Sequence, residues 1–247
     1  MTLIAHISDL HISTSEFNQS VFLESVDEIN DLKPDMILLT GDITNQGYYK
    51  EYQKSKELLS LFKSPLYAVP GNHDARNLGY KTFEEFIGER SWKLIKNDHF
   101  VVIGIDSSSP DVDHGNIGRP QQVWMEDQLR KSVNNNFTIV ALHHHVIPVP
   151  NTGRERNVLS DAGDILKSFV DFNVDLVIAG HRHVHNVWKM NNTLFINAGS
   201  LSSNKLRGKD PNSYNFYDIS GENIDICYRD IGKKTVSRGS FKKKGSC

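Results

Sequence analysis

Cysteine is scarce in this chain. Two residues in 247, Cys227 and Cys247, stand far from any metal-ligand spacing, a usage that fits a reducing compartment. Long hydrophobic runs are missing too: no stretch approaches the ~18 apolar residues of a membrane span. The opening MTLIAHISDLHIS also lacks the basic segment and long apolar run of a secretory signal. Nor is there an excess of either charge, since 28 Lys and Arg nearly balance 30 Asp and Glu for a formal net charge of -2. That balance argues against nucleic acid as a partner, which favours a strongly basic surface. These absences leave a cytoplasmic chain of one substantial domain, long enough for a real core, and they leave a homodimer open. Histidine is what the composition has in excess: 11 residues, five of them in HHH (143–145) and HRH (181–183).

Short apolar runs alternate with amphipathic stretches. Seven runs read as buried strands: 3–8, 35–40, 65–70, 100–106, 137–143, 175–180 and 193–199. Helical spacing of apolar residues marks 20–33, 48–63, 121–133 and 160–172, the last with Ser160 as its expected N-cap. Strands alternating with helices predict a layered α/β domain. The end differs: YNFYDIS and IDICYRDI read as an antiparallel pair closing a domain over 1–232. The lysine-rich 233–247 is expected to be a flexible basic tail rather than a binding site. The turn-rich segments 74–99 and 107–120 are expected to supply cap or loop elements over a site.

Polar residues fall at the strand ends. Asp9-Leu10-His11 follows the first strand, Gly41-Asp42 the second, and Gly71-Asn72-His73-Asp74 the third. His143 ends the 137–143 run, and Gly180-His181-Arg182-His183 follows the next. Singly, each has a bland reading: Asp9 as a turn residue, His6 as a satisfied core histidine, GNHD as a turn. Together they place Asp, Asn or His at five strand tips, which line the ligand crevice of an open α/β sheet. Burying so many carboxylates and imidazoles in one crevice without a cation is costly. A mixed carboxylate, amide and imidazole set suits Mn, Fe, Zn or Co.

In this order, Asp9-x-His11, Gly41-Asp42, Gly71-Asn72-His73-Asp74, His143 and Gly180-His181-x-His183 resemble the five-block signature of the calcineurin-like metallophosphoesterases. The context VIGIDSS, GxIxxxQxxW and NAGS is most similar to the class III cyclic-nucleotide phosphodiesterase group. The resemblance implies a four-layer α-β-β-α sandwich of two mixed β-sheets, with a dinuclear metal site at the strand C-terminal ends. It implies Asp9, His11, Asp42 and His183 as holders of one divalent ion (Mn2+, Fe2+/Fe3+, Zn2+ or Co2+). Asp42, Asn72, His143 and His181 would hold the other, so that Asp42 bridges. His73 would be the catalytic histidine, its ring oriented by Asp74. In the fourth block the run is HHHVIP where the class III group has His-His-Pro-Pro; of His143 and His144, the expected ligand is His143, which directly follows the strand. In an extended segment residues two apart share a side, so His181 and His183 are expected to face the ions, with Arg182 turned away and His185 either structural or touching a ligand from outside.

The implied chemistry is hydrolysis of a small, cyclic-nucleotide-like phosphodiester. Two divalent ions ~3.5–4 Å apart would generate a bridging hydroxide and brace the phosphoryl oxygens, and His73 would assist. Charges of four plus and two minus, less one for the hydroxide, leave a centre of about +1, suited to a diester monoanion without excluding a monoester. Arg76, Arg154 and Arg156 are candidates to grip the substrate, with solvated loop salt bridges as the equal alternative. Competing readings are a phosphomonoesterase, a nuclease, against which the charge balance speaks, and a metal-free protein-binding scaffold. A protein Ser/Thr phosphatase would continue the second block as GDxxDRG, whereas this chain has GDITNQG.

Overall fold

The computed structural model describes all residues except 14, 97–99, 133–136, 151, 153–157, 208–209, 234 and 243–247. Two mixed sheets of six strands each form its centre. In the first, β1 (Thr2–Ile7), β2 (Met36–Thr40) and β3 (Leu66–Val69) run parallel. Beyond β1 the sheet continues antiparallel through β10 (Ser213–Ser220), β11 (Asn223–Asp230) and β12 (Thr235–Lys242). The second sheet has a parallel centre of β5 (Phe100–Gly104), β6 (Phe137–Ala141), β7 (Leu176–Ala179) and β9 (Thr193–Asn197). Antiparallel β4 (Trp92–Lys96) and β8 (Asn186–Met190) close its edges.

The period of two along each strand builds the layers. Ile4, Met36, Leu38, Val102, Ile139 and Ile178 meet between the sheets in one core cluster. The alternate residues Ala5, Ile37 and Leu39 face α1 (Gln19–Leu32), α2 (Tyr49–Leu59) and α3 (Gly79–Phe86), through Phe22, Tyr52 and Phe83. On the far side Val101, Val140 and Val177 pack on α4 (Arg119–Arg130) and α5 (Ala162–Asp171) through Met125, Ile165 and Phe169. The result is the expected α-β-β-α sandwich. His6 lies between the sheets with both ring nitrogens engaged, at 2.7 Å from the Tyr217 hydroxyl and 2.9 Å from Thr40 Oγ1.

Three expectations about the chain's periphery need correction. Residues 235–242 are the edge strand β12, with Val236 opposite Tyr228 and Phe241 opposite Ile224. Two apolar residues suffice there, because an edge strand tolerates charge such as Lys242 on its open side. Of segment 74–99, α3 and β4 form no cap: Phe83 of α3 packs edge-on against Tyr52 beneath the first sheet, and β4 joins the second, while 97–99 lie outside the described residues. Ser160 does not cap α5. The N-cap is Asp161, whose carboxylate accepts from the Ile117 and Gly118 backbone amides, while Ser160 Oγ accepts from the Asn116 side-chain Nδ2.

Candidate metal centre

The C-terminal tips of β1, β2 and β3 in one sheet and of β6 and β7 in the other open at a common edge, and all seven candidate ligands lie just beyond them. Backbone bonds stitch these tips together: the Asp9 amide to the Gly41 carbonyl, His11 to Asp42, and Gly180 to His143, at 2.9–3.1 Å. Two glycines are there because nothing larger fits. A Cβ on Gly71 would stand 2.1 Å from Asp42 Oδ1, and one on Gly180 would stand 1.8 Å from Ser8 Oγ. Asp9, His11, Asp42, His181 and His183 hold φ between 50° and 71°, a left-handed backbone that costs about 1–2 kcal/mol per residue. Hence the extended geometry expected for 181–183 is wrong. β7 ends at Ala179, and His181 and His183 face one site because each sits in a left-handed turn. Arg182 does turn away, donating to Thr152 Oγ1 and to the Thr152 carbonyl.

Two sets of side-chain atoms converge. In the first, His11 Nε2 lies 3.0 Å from His183 Nε2, 3.9 Å from Asp9 Oδ1 and 3.6 Å from Asp42 Oδ2, with His183 Nε2 3.2 Å from Asp9 Oδ1. In the second, His143 Nε2 lies 3.4 Å from the same Asp42 Oδ2, 3.2 Å from Asn72 Oδ1 and 3.1 Å from His181 Nδ1. Atoms bound about 2.0–2.2 Å from one ion stand ~3–3.6 Å apart, a spacing that every distance here meets except the 3.9 Å between His11 and Asp9. They share Asp42 Oδ2. Asp42 Oδ1 is fixed by the His73 amide at 2.9 Å, and Asp9 Oδ2 by the His181 amide at 3.0 Å.

The chemistry of these atoms fits a cation. His143 Nδ1 faces the Thr40 carbonyl at 2.7 Å, and His183 Nδ1 faces the Lys205 carbonyl. Each carbonyl takes the ring's N–H and so aims the Nε2 lone pair inward, the usual outer arrangement of a metal-bound histidine. Asp9 Oδ1 is buried with no hydrogen-bond partner among the described residues. Lone pairs at this density repel unless a proton or a metal lies between them, and the surroundings of each ring decide where a proton would go. Burial opposes a charge on His143, but Asp42 outweighs it and pushes the ring up to about 9. His183 is raised against burial by Asp9. Burial also works against ionised Asp42, yet His143 and His73 hold it well below the usual carboxylate range. By contrast burial drives His11 down to about 3, and burial with His144 and His143 puts His181 well below its ordinary value.

Around this floor the other candidates separate. His144 is buried beside His143 and His181, and the three could share an ion. Its own nitrogens, however, are engaged by Ser107 Oγ at 2.9 Å and the Asp113 carbonyl at 3.2 Å. The carboxylate of Asp74 does not reach the His73 ring. It accepts from the Ile43, Thr44 and Gly71 amides and from Thr44 Oγ1, tying the second and third blocks together. The ring is oriented instead by the Asn45 carbonyl, 2.7 Å from Nδ1, which leaves Nε2 for the cleft. Arg76 is spent locally, with Nη2 on Asp113 at 2.6 Å and Nη1 3.0 Å from His73 Nδ1. Arg154 and Arg156 lie outside the described residues. His185 bonds Asn215 at 2.7 Å and stacks on Tyr228.

A cleft of about 330 Å³ opens over this floor, and its rim is Asp113, Lys205, Leu206 and Arg207. None of the four is evident from motif spacing. A positional signal existed for the last three: they follow β9, a strand parallel to β7 whose tip points to the same edge.

Residues 2–185 match the profile described as calcineurin-like phosphoesterase. The chain is 28% identical over 222 residues to a probable glycerophosphodiester phosphodiesterase of Arcobacter nitrofigilis, covering 81% of this chain and 78% of that one. It is 27% identical over 197 residues to a 3′,5′-cyclic-nucleotide phosphodiesterase of Nostoc, covering 73% and 71%. A dimetal phosphatase from Danio rerio shares the fold, with a TM-score of 0.77 at 11% identity over 98% of this chain and 99% of that one. A profile that spans most of the chain and all five strand-tip blocks settles the membership: this protein belongs to the calcineurin-like phosphoesterase family.

Proposed function

We propose that this protein is a divalent-metal-dependent phosphodiesterase acting on a small, cyclic-nucleotide-like diester. One observation carries the reading: two four-residue ligand sets that share Asp42 Oδ2, with His73 beside them in the same cleft. Asp9, His11, Asp42 and His183 would hold one ion, and Asp42, Asn72, His143 and His181 the other. When bound, such ions acidify the attacking water and polarise the phosphoryl oxygens. The mixed oxygen and imidazole donors suit Mn, Fe, Zn or Co.

The chain's own residues do the rest. Asp9 and Asp42 bring two negative charges against four positive, so the loaded centre stays cationic and attracts a phosphodiester monoanion. His73, held by Asn45 through Nδ1, presents Nε2 to the cleft. Protonated there, it would donate to the phosphoryl oxygen or to the departing alkoxide. The diester preference is supported by the names of the two relatives above. The cysteine usage supports a cytoplasmic site of action, and no helix among the described residues is long and apolar enough to cross a membrane.

The test is hydrolysis of bis-p-nitrophenyl phosphate against p-nitrophenyl phosphate after metal stripping and Mn2+ reconstitution, with Asp42→Ala as the blank. Diester preference that vanishes in the variant is expected. Monoester preference would move the assignment to a phosphatase, and failure to bind metal would return the scaffold reading.

A further inference from the structure

One wall of the cleft carries positive charge for which the floor has no use. Lys205 is anchored to the floor through its own carbonyl, which accepts from His183 Nδ1, and among the described residues its exposed ammonium meets only Glu16, loosely, at 3.6 Å. Two residues on, Arg207 Nη1 donates to the Thr152 carbonyl at 3.1 Å. The same carbonyl takes Nη2 of Arg182, a residue only 4% exposed. Two like charges thus converge on one neutral oxygen. Among the described residues neither guanidinium has a carboxylate partner. The facing wall differs, because Asp113 there is already neutralised by Arg76 at 2.6 Å.

A converging guanidinium pair is unfavourable until an anion joins it, and Arg with a phosphate is among the strongest such pairs. The scissile phosphate cannot be that anion, since it must sit on the floor beside His73. We propose that Lys205 and Arg207 form a subsite for a second anionic group of the substrate, so that the preferred substrate is a small phosphodiester bearing an additional phosphoryl group. This rests on the phosphodiesterase reading and adds the substrate class to it. Lys205 and Arg207 are then specificity-determining residues that act on binding at the rim rather than on the chemistry.

Two chromogenic esters with the same leaving group test it: thymidine 5′-(p-nitrophenyl phosphate) and its 3′-phosphorylated counterpart, each assayed on the Mn2+-reconstituted full chain. The added phosphate should raise kcat/KM by about tenfold to a hundredfold, mostly through KM, as one or two charge-assisted hydrogen bonds would. In Lys205→Ala/Arg207→Ala that ratio should fall to within about threefold, and in wild type it should shrink between about 50 mM and 500 mM salt, as an exposed charge contact must. A single Arg207→Gln variant, which keeps a polar side chain at the rim, should lose part of the ratio and guards against a folding artefact in the double variant. Equal kcat/KM for the two esters, or a preference that survives the double variant, overturns the subsite while leaving the phosphodiesterase reading standing. If neither ester is cleaved, both readings fall.

Discussion

At the floor of the cleft, Asp9, His11, Asp42, Asn72, His143, His181 and His183 are all buried, and five of them hold a left-handed backbone. At its rim, Lys205 and Arg207 are exposed, and they belong to a loop held by a handful of hydrogen bonds. The floor stores strain and is over-determined by the strands beneath it, as expected where backbone outliers position reactive groups. None of the rim residues Asp113, Lys205, Leu206 and Arg207 has a positive φ. Rigid floors suit chemistry common to a whole family, while loosely held rims are where substrates are told apart. If this division holds, floor substitutions should strike metal binding or turnover, and rim substitutions should act on affinity.

The largest effect is expected at Asp42, the one residue in both ligand sets. Asp42→Ala should remove metal and depress kcat/KM by about a thousandfold or more, measured by elemental analysis alongside the diester assay. A variant that keeps both ions would break the shared-carboxylate geometry. His73→Ala should separate chemistry from binding within the floor. Turnover should fall by about 10²–10⁴-fold with metal content unchanged. His73 also lies near His11 and Asp42 in a group able to hold an ion, so loss of one metal would recast it as a ligand.

Asp113 sharpens the comparison because it links rim to floor. Its Oδ1 accepts from Asn72 Nδ2 at 3.2 Å and from Arg76, so it holds the Asn72 amide with oxygen inward. Asp113→Ala should weaken the second ion by about tenfold to a hundredfold, the usual cost of losing a partner of a ligand, while sparing the first. Metal titration by calorimetry would show one affinity falling. If both fall, or neither does, Asp113 is only a rim residue.

The floor was legible in the sequence because its information is local: a polar residue directly after an apolar run is a strand tip, whatever the rest of the chain does. The layering was legible for the same reason, through alternation in strands such as β2 and β6. Several features were hidden because their causes are non-local. Asp74 looks like a partner for its neighbour His73, but the amides of Ile43 and Thr44, some thirty residues away, claim its carboxylate. Residues 235–242 look like part of a tail until Ile224 and Tyr228 of β11 supply the pairing that makes them a strand. Lys205 gains its place through a carbonyl, which no side-chain motif records.

The smallest expected effect contrasts two buried histidines and concerns stability against pH. Burial, with His185 beside it, drives His6 between the sheets down to about 3, whereas His143 on the floor is up at about 9 with Asp42 as the raising charge. Their signs oppose. Below an unfolded value near 6.5 the unfolded chain takes up a proton that folded His6 refuses, so stability falls as pH drops from about 6.5 toward 3, by about 1.4 kcal/mol per pH unit per proton. For His143 in the metal-free protein, stability is fully present below 6.5 and is lost as pH rises through 9. A metal on Nε2 replaces that proton, so loading should erase the alkaline loss and leave the acid loss from His6 in place. Urea midpoints from pH 5 to 9.5, with and without chelator, would show it. An alkaline loss of equal size in both states would mean that His143 Nε2 does not face the ion, and the second ligand set would have to be redrawn around His144.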